Sequence, residues 1–232
     1  MYWLDYERLK PLQTAHSTYA NAKPFPHVVI DHFLPEKLVR KLQDDFPKPD
    51  SDYWHRKDVA TSKKLDSRRL DKEVTLPPTI RQLLWELNGA RFLLLLSQLT
   101  GIQGLSADPY LEGAGPHMIE TGGFLKVHAD FNLHPYTKLH RRLNLLIYLN
   151  DDWNPEWGGQ LELWNQDMSA CAKRVDPIAN RAVIFTTDDD SFHGHPHPLK
   201  TPQGVCRRSL ALYYYATPVE PLQAHSTIYK RS

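Results

Sequence analysis

The sequence predicts a mainly β protein with flanking α-helices, the helices packed on the outside of an antiparallel sandwich or barrel. Three observations carry this. After Gly101, short β-like runs recur near 116–121, 125–131, 143–150, 160–164, 181–186 and 207–216, separated by Gly, Pro, Asn and Asp clusters and by no helix. Before Gly101, apolar residues recur at helical spacing instead. The chain has 232 residues, 41% hydrophobic and 24% charged, which suits one large domain that buries a core without disulfide staples. We expect one domain: an N-terminal strand and supporting helices over 1–104, a β core over 105–217, and a C-terminal tail over 218–232.

In order, residues 24–34 (PFPHVVIDHFL) read as a short strand, rich in β-branched residues and bounded by prolines. Pro35 suits a first helical turn, and Leu38, Val39, Leu42 and Phe46 follow at helical spacing until Pro47 and Pro49 end the helix. Residues 50–73 are polar and charged without a period, which predicts a surface loop that could serve as a lid. Two helices are expected at 78–87, with Ile80, Leu83, Leu84 and Leu87 on one face, and at 90–99, with Phe92, Leu95, Leu96 and Leu99. Asn88-Gly89 and Gly101 punctuate their ends. These leucines read as core packing.

Charge and motifs exclude several functions. The 28 Lys+Arg balance 27 Asp+Glu, so no basic excess marks a nucleic-acid groove. The pairs Lys63-Lys64, Arg68-Arg69 and Arg141-Arg142 are mixed with acids and read as solvated surface. Cys171 and Cys206 cannot form a disulfide framework or a short-spaced metal pair. The N-terminus has early acids and no apolar run, and the longest leucine run is Leu93–Leu96. A soluble, reduced, cytoplasmic protein is therefore expected. Gly122-Gly123 and Gly158-Gly159 belong to neither a dinucleotide fingerprint nor a P-loop, and neither H-E-x-x-H nor G-x-S-x-G occurs.

The informative residues are among the 12 histidines. In VHADF, His128 and Asp130 are two apart, so on a strand they share a face and could meet one metal ion. A third ligand must come from elsewhere, with His193, His195 and His197 in SFHGHPHPL as the candidates. Two imidazoles and one carboxylate leave open positions on an octahedral metal, the facial triad of non-haem Fe(II) oxygenases. H-x-D alone is a weak signal, and His134, His140, His195 and His197 read as surface or supporting residues. In CRRSLALYYY, alternation puts Arg207, Ser209, Ala211 and Tyr213 on one face and Arg208, Leu210, Leu212 and Tyr214 on the other. An inward Arg-x-Ser pair would offer a guanidinium fork and a hydroxyl to a carboxylate. A surface salt bridge is the bland alternative.

With these residues in hand, 117–217 resembles an iron(II)- and 2-oxoglutarate-dependent oxygenase of the prolyl 4-hydroxylase-like group. The matching pieces are GGFLKVHADFN, RRLNLLIYLNDDW, WGGQLELW, NRAVIFTTDDDSFHGHP and RRSLALYYY, in the family's order. PFPHVVIDHFLP resembles the family's opening segment, so the likeness covers roughly 25–217. It implies a double-stranded β-helix, or jelly-roll, core. It implies His128, Asp130 and His193 as metal ligands. Arg207 is implied as the anchor of the far carboxylate of 2-oxoglutarate, with Arg208 as the fallback if the register slips by one. Tyr148 would add its hydroxyl to that carboxylate, beside the Ser209 hydroxyl of the Arg-x-Ser pair above, and Asn144 and Leu146 would line the same pocket. His117 could approach the cosubstrate, whereas Met118 is as readily core. Trp153, Trp157 and Trp164, around the Gly158-Gly159 turn, read as packing.

The implied cofactors are Fe(II), 2-oxoglutarate as cosubstrate and O2, with ascorbate as an accessory that no residue demands. The implied reaction hydroxylates an unactivated C–H bond while 2-oxoglutarate becomes succinate and CO2. Asp130, where a related halogenase carries a small residue, argues for hydroxylation, with desaturation and cyclisation left open. A small molecule, a free amino acid and a prolyl residue in a peptide all fit as substrate. The short chain slightly favours the first two. Three rivals stand beside this: a non-enzymatic jelly-roll that binds metal or ligand, a zinc-dependent hydrolase using the same three ligands, and a metal-buffering HGHPH loop.

Overall fold

The computed structural model describes residues 3–59, 61–67 and 76–229. The α-helices of the described residues lie within the first 100 residues: α1 (Tyr6–Leu9), α2 (His16–Ala20), α3 (Glu36–Asp44), α4 (Pro78–Leu87) and α5 (Ala90–Thr100), with a 3-10 turn at Lys10–Thr14. Pro77 and Pro78 open α4, where a fixed φ and a missing N–H cost nothing. Gly101 closes α5 in the left-handed region at φ 75°, a conformation that an L side chain resists.

The strands are β1 (His27–Ile30), β2 (Trp54–Val59), β3 (Ser62–Ser67), β4 (Gly115–Ile119), β5 (Phe124–Ala129), β6 (His140–Tyr148), β7 (Leu161–Trp164), β8 (Cys171–Val175), β9 (Ala182–Thr186), β10 (His193–His195), β11 (Arg207–Ala216) and β12 (Ile228–Tyr229). They run β1-β9-β6-β11-β4-β3-β5-β10-β7-β8, with β2 beside β3 and β12 beside β5, and these strands pair antiparallel. The fold is the jelly-roll expected, with helices against one layer.

Two-residue periodicity separates the faces of that layer. Leu143, Leu145 and Ile147 of β6, Ile184 of β9 and Leu210, Leu212 and Tyr214 of β11 join Leu42, Ile80, Leu84, Leu96 and Leu99 of the helices in one buried cluster. Each such leucine or isoleucine stabilises by about 1.5–3 kcal/mol on burial. The intervening residues turn inward. Tyr148, Val183 and Phe185 meet Phe25, Leu161, Leu163 and Val175 between the layers.

The expectation for 50–73 is corrected. Most of its described part is a hairpin, β2 and β3, with Trp54 paired to Ser67 and Val59 to Ser62. Its polar composition misleads because β3 pairs with β4 at Leu65–Met118 and with β5 at Ser62–Leu125, so its backbone is sheet although its residues are hydrophilic. Arg68 and Arg69 lie outside the described residues. Strands β8, β10 and β12 are further additions to the expected set. β10 has three residues and β12 two, too short for an alternation to register. Among the described residues no helix is long and apolar enough to cross a membrane.

Candidate active site

The site is built from a cross-strand pair. β5 and β10 are neighbours with His193 directly opposite His128, a spacing that brings side chains together on one face. Their ring centroids are 4.5 Å apart. Asp130, just past the end of β5, completes a cluster whose ligand atoms all lie within 4.8 Å of one another. His128 Nε2 is 3.5 Å from Asp130 Oδ1, and His193 Nε2 is 3.5 Å from Asp130 Oδ2. Gly194 permits this approach. A Cβ there would sit 2.8 Å from the Leu125 carbonyl oxygen and 2.9 Å from that of Lys126.

Backbone carbonyls fix both tautomers. His128 Nδ1 lies 2.8 Å from the Lys126 carbonyl oxygen, and His193 Nδ1 lies 2.9 Å from that of Ser191. A carbonyl only accepts, so each Nδ1 carries the proton and each Nε2 offers a lone pair to the cluster. Burial, reinforced by His128, pushes the His193 pKa down to about 4 against the pull of Asp130. Burial alone would raise the Asp130 carboxyl, but the Arg141 guanidinium leads the interactions that overcome it and hold the group well below the usual carboxylate range.

Arg141 corrects the expectation that Arg141-Arg142 is solvated surface. It is buried, with Nη2 2.9 Å from Asp130 Oδ2. It donates twice to Asn144 Oδ1, at 3.1 and 2.8 Å, and lies 3.5 Å from the Tyr213 ring centroid. Asn144 Nδ2 in turn donates to Asp130 Oδ2 at 2.8 Å. Simple alternation from Tyr148 through Leu146 and Asn144 points Arg142 inward. The pairing instead steps from Tyr214–Leu143 to Tyr215–Arg141, so Arg142 is an extra residue and the bulge reverses the parity beyond it. No sequence signal announces that bulge.

The second half of the site is Arg207. It is buried, donates Nε–H to the Gly159 carbonyl at 2.7 Å, and places Nη2 3.3 Å from the Tyr148 hydroxyl. Among the described residues no carboxylate pairs with it. Burial therefore lowers its pKa, opposed only by Tyr148. Gly159, at φ 75°, leaves room for it; a Cβ would stand 2.6 Å from Leu199 Cδ2 and 3.0 Å from Arg207 Cδ. Arg208 faces away, over the Phe46 ring at 5.9 Å and paired with the buried Met118, so Arg207 is the arginine that points inward.

One cavity of about 1060 Å³ joins the two halves. His128, Asp130, His193 and Arg207 line it, as do Ser209, Asn144, Leu146 and His117. Tyr148 reaches it through Arg207. Trp153 and Trp157 stack edge-on at 5.3 Å beside Ile119 and Leu199, and Trp164 bonds Glu162, so all three pack rather than line the cavity.

Of the histidines expected to be surface or supporting residues, two are buried. His134 is buried, with Nε2 3.1 Å from Asp108 Oδ1, and joins two loops. His195 is buried and lines the cavity. His197 is exposed as expected. Sequence reasoning misses Lys64 of β3 and Tyr229 of β12, and puts Tyr213 of β11 on the face of Arg207 without giving it a part in the site; all three line the same space. The Tyr229 ring lies 5.5 Å from that of His128.

A jelly-roll holding a His–Asp–His cluster beside a buried, uncompensated arginine has the layout of a metal-dependent oxygenase that uses a carboxylate cosubstrate. Residues 114–215 match the profile of the 2OG-Fe(II) oxygenase superfamily, and this segment, which holds the triad and Arg207, belongs to it. That segment is under half of the chain, and the family it matches is one of oxidoreductases. No curated protein sequence matches the chain. Solved structures do. A Pseudomonas putida prolyl-4-hydroxylase matches with a TM-score of 0.54 at 20% identity, over 88% of this chain and 98% of that one. A Trichoplax adhaerens prolyl hydroxylase, in complex with a hypoxia inducible factor peptide, matches at 0.63 and 18%, over 90% and 91%. HygX of Streptomyces hygroscopicus, with nickel, 2-oxoglutarate and hygromycin B bound, matches at 0.53 and 13%, over 91% and 87%. At these identities the likeness is one of fold.

Proposed function

We propose that the chain is a 2-oxoglutarate-dependent hydroxylase in which His128, Asp130 and His193 hold Fe(II) and Arg207 holds the far carboxylate of the cosubstrate. The donor set supports this. Two imidazoles with outward protons and free Nε2 lone pairs, plus one ionised carboxylate, suit a divalent first-row metal and leave positions for other ligands. The carrying observation is Arg207. A buried guanidinium with only a carbonyl and a phenol for partners is stable when an anion reaches it from the cavity.

Bound at the triad with 2-oxoglutarate and O2, the metal supplies oxidative decarboxylation of the cosubstrate coupled to hydroxylation of an unactivated C–H bond. The protein does the rest. Arg207, oriented by Gly159 and Tyr148, takes the carboxylate, and Ser209 offers a hydroxyl from the same strand face. Arg141 and Asn144 both donate to Asp130 Oδ2 and so fix the carboxylate's rotation. Leu146, Leu161 and Ile119 give the cavity an apolar wall that keeps bulk water from the reacting centre.

Hairpin β2–β3 lines the cavity with Trp54 and Val59, and the chain at β12 lines it with Thr227 and Tyr229, so these segments are available to contact a substrate. Its class is an amino acid, a prolyl residue or a small molecule, in keeping with relatives that are named prolyl hydroxylases and one that holds hygromycin B. The test is a screen of proline, other amino acids and a proline-rich peptide, with Fe(II), 2-oxoglutarate and ascorbate under air, scored by succinate. Asp130→Ala should abolish release. Equal turnover without O2, or an Asp130→Ala variant as active as wild type, overturns the reading and favours a zinc-type hydrolase.

A further inference from the structure

His195 has no place in the arrangement above, yet its position is unusual. Its side chain is buried and lines the cavity. Nδ1 is enclosed without a hydrogen-bond partner, and among the described residues no partner exists for the other ring nitrogen either. It is the one cavity-lining residue, among those described, with such an orphaned polar atom. Buried polar groups are nearly always paired, and a partnerless one costs free energy that an apolar side chain of similar size would avoid. Packing alone therefore gives no reason for an imidazole here.

Its surroundings indicate the missing partner. His195 lies two residues beyond His193 on β10; the register with β5 shifts between them, and both line the cavity, His195 further from the triad. It pairs with Leu125 of β5, where the cavity continues away from His128. Arg207 and Lys64 line the same cavity and act on its ring, so an incoming group meets two cations beside it. An incoming group that satisfies an imidazole N–H in a cation-lined pocket is an acceptor, and an anion suits it best.

We propose that His195 is a second anchor for the cosubstrate, its imidazole N–H donating a hydrogen bond to a carboxylate oxygen of the dicarboxylate that Arg207 neutralises. This rests on the 2-oxoglutarate reading and adds to it a further residue of the cosubstrate pocket. The donor is the ring nitrogen that is not enclosed, which gains a partner only when the pocket is filled.

The test is binding, measured by calorimetry on the anaerobic, Mn(II)-loaded full chain titrated with 2-oxoglutarate. His195→Phe keeps the volume and removes the donor. It should raise the 2-oxoglutarate Kd by about tenfold or more, with the Mn(II) Kd changed less than about twofold. His195→Gln, which retains an N–H, should recover most of the affinity. In Zn(II)-loaded wild type, the His195 ring 15N signals, assigned by their loss in His195→Gln, should shift when 2-oxoglutarate is added. This holds the proposal to account even if His195→Phe misfolds. An unchanged Kd in His195→Phe, or ring signals that do not move while 2-oxoglutarate binds, overturns it. If wild type fails to bind 2-oxoglutarate, or Arg207→Met binds it normally, the underlying cosubstrate reading falls as well.

Discussion

At the scale of single residues, the chemistry depends on which atom of each side chain is left free. The carbonyls of Lys126 and Ser191 settle this for the two imidazoles, and Arg141 with Asn144 settles it for Asp130. Removing Arg141 should reveal how far its charge offsets that of Asp130. Breaking a buried pair by deleting one partner costs about 3–5 kcal/mol, because the other charge stays buried and uncompensated. In Arg141→Leu the melting temperature of the metal-free protein should drop sharply. Zn(II), by replacing the lost positive charge, should restore more stability to the variant than it adds to wild type. Differential scanning calorimetry with and without Zn(II) measures this. Equal Zn(II) stabilisation of the two proteins would show that Arg141 does not balance Asp130. His128 and Asp130 are legible from their two-residue spacing in a strand-forming run, whereas His193 among three candidate histidines, and Arg207 as an anchor, come from the family resemblance. Arg141 is not legible, because a one-residue bulge in β6 inverts the alternation on which such reasoning relies.

At the scale of elements, the long strands and helices follow from periodicity, and the short or polar ones do not. Leu210, Leu212 and Tyr214 alternate with Arg207, Ser209 and Tyr213 clearly enough to assign both faces of β11 from the residue pattern alone. β3 and β12 carry no such pattern; they owe their conformation to the edges of β4 and β5 that they complete. β12 has its own anchor. The His225 backbone N–H donates to Asn132 Oδ1, its Nδ1 lies 2.8 Å from the Ser226 carbonyl oxygen, and its Nε2 lies 2.8 Å from Asp189 Oδ1. Both ring contacts are to acceptors, so both are satisfied only by the imidazolium. Burial alone would lower the His225 pKa, but the Ser226 carbonyl and Asp189 outweigh it and raise it above 6.5. A raised folded-state value contributes stability that is fully present below 6.5 and is lost as pH rises through the folded value. Amide exchange at Ile228 and Tyr229, referred to His225→Asn at each pH, should therefore show protection on the acid side that fades as pH rises. A pH-independent difference between the two proteins would refute that anchor.

At the scale of the whole molecule, one helix-backed layer supplies rigidity and the opposite layer supplies the metal ligands, with the cavity between them. Leu42, Ile80 and Leu96 pack on Leu145 and Leu210, which fixes β6 and β11 and with them Asn144, Tyr148 and Arg207. The triad comes from β5 and β10 across the cavity, so two independently positioned groups face one space. The global plan, helices first and an antiparallel sandwich after Gly101, is readable from the change of period alone. The closing of the cavity by β2–β3 and β12 is not, because it depends on long-range pairing that local sequence does not encode. The most direct measurement is an anomalous-scattering map from crystals grown anaerobically with Mn(II) and 2-oxoglutarate. It should place the metal among His128 Nε2, the Asp130 carboxylate and His193 Nε2, with the cosubstrate's far carboxylate against Arg207. Metal found elsewhere, or a carboxylate turned away from Arg207, would contradict it.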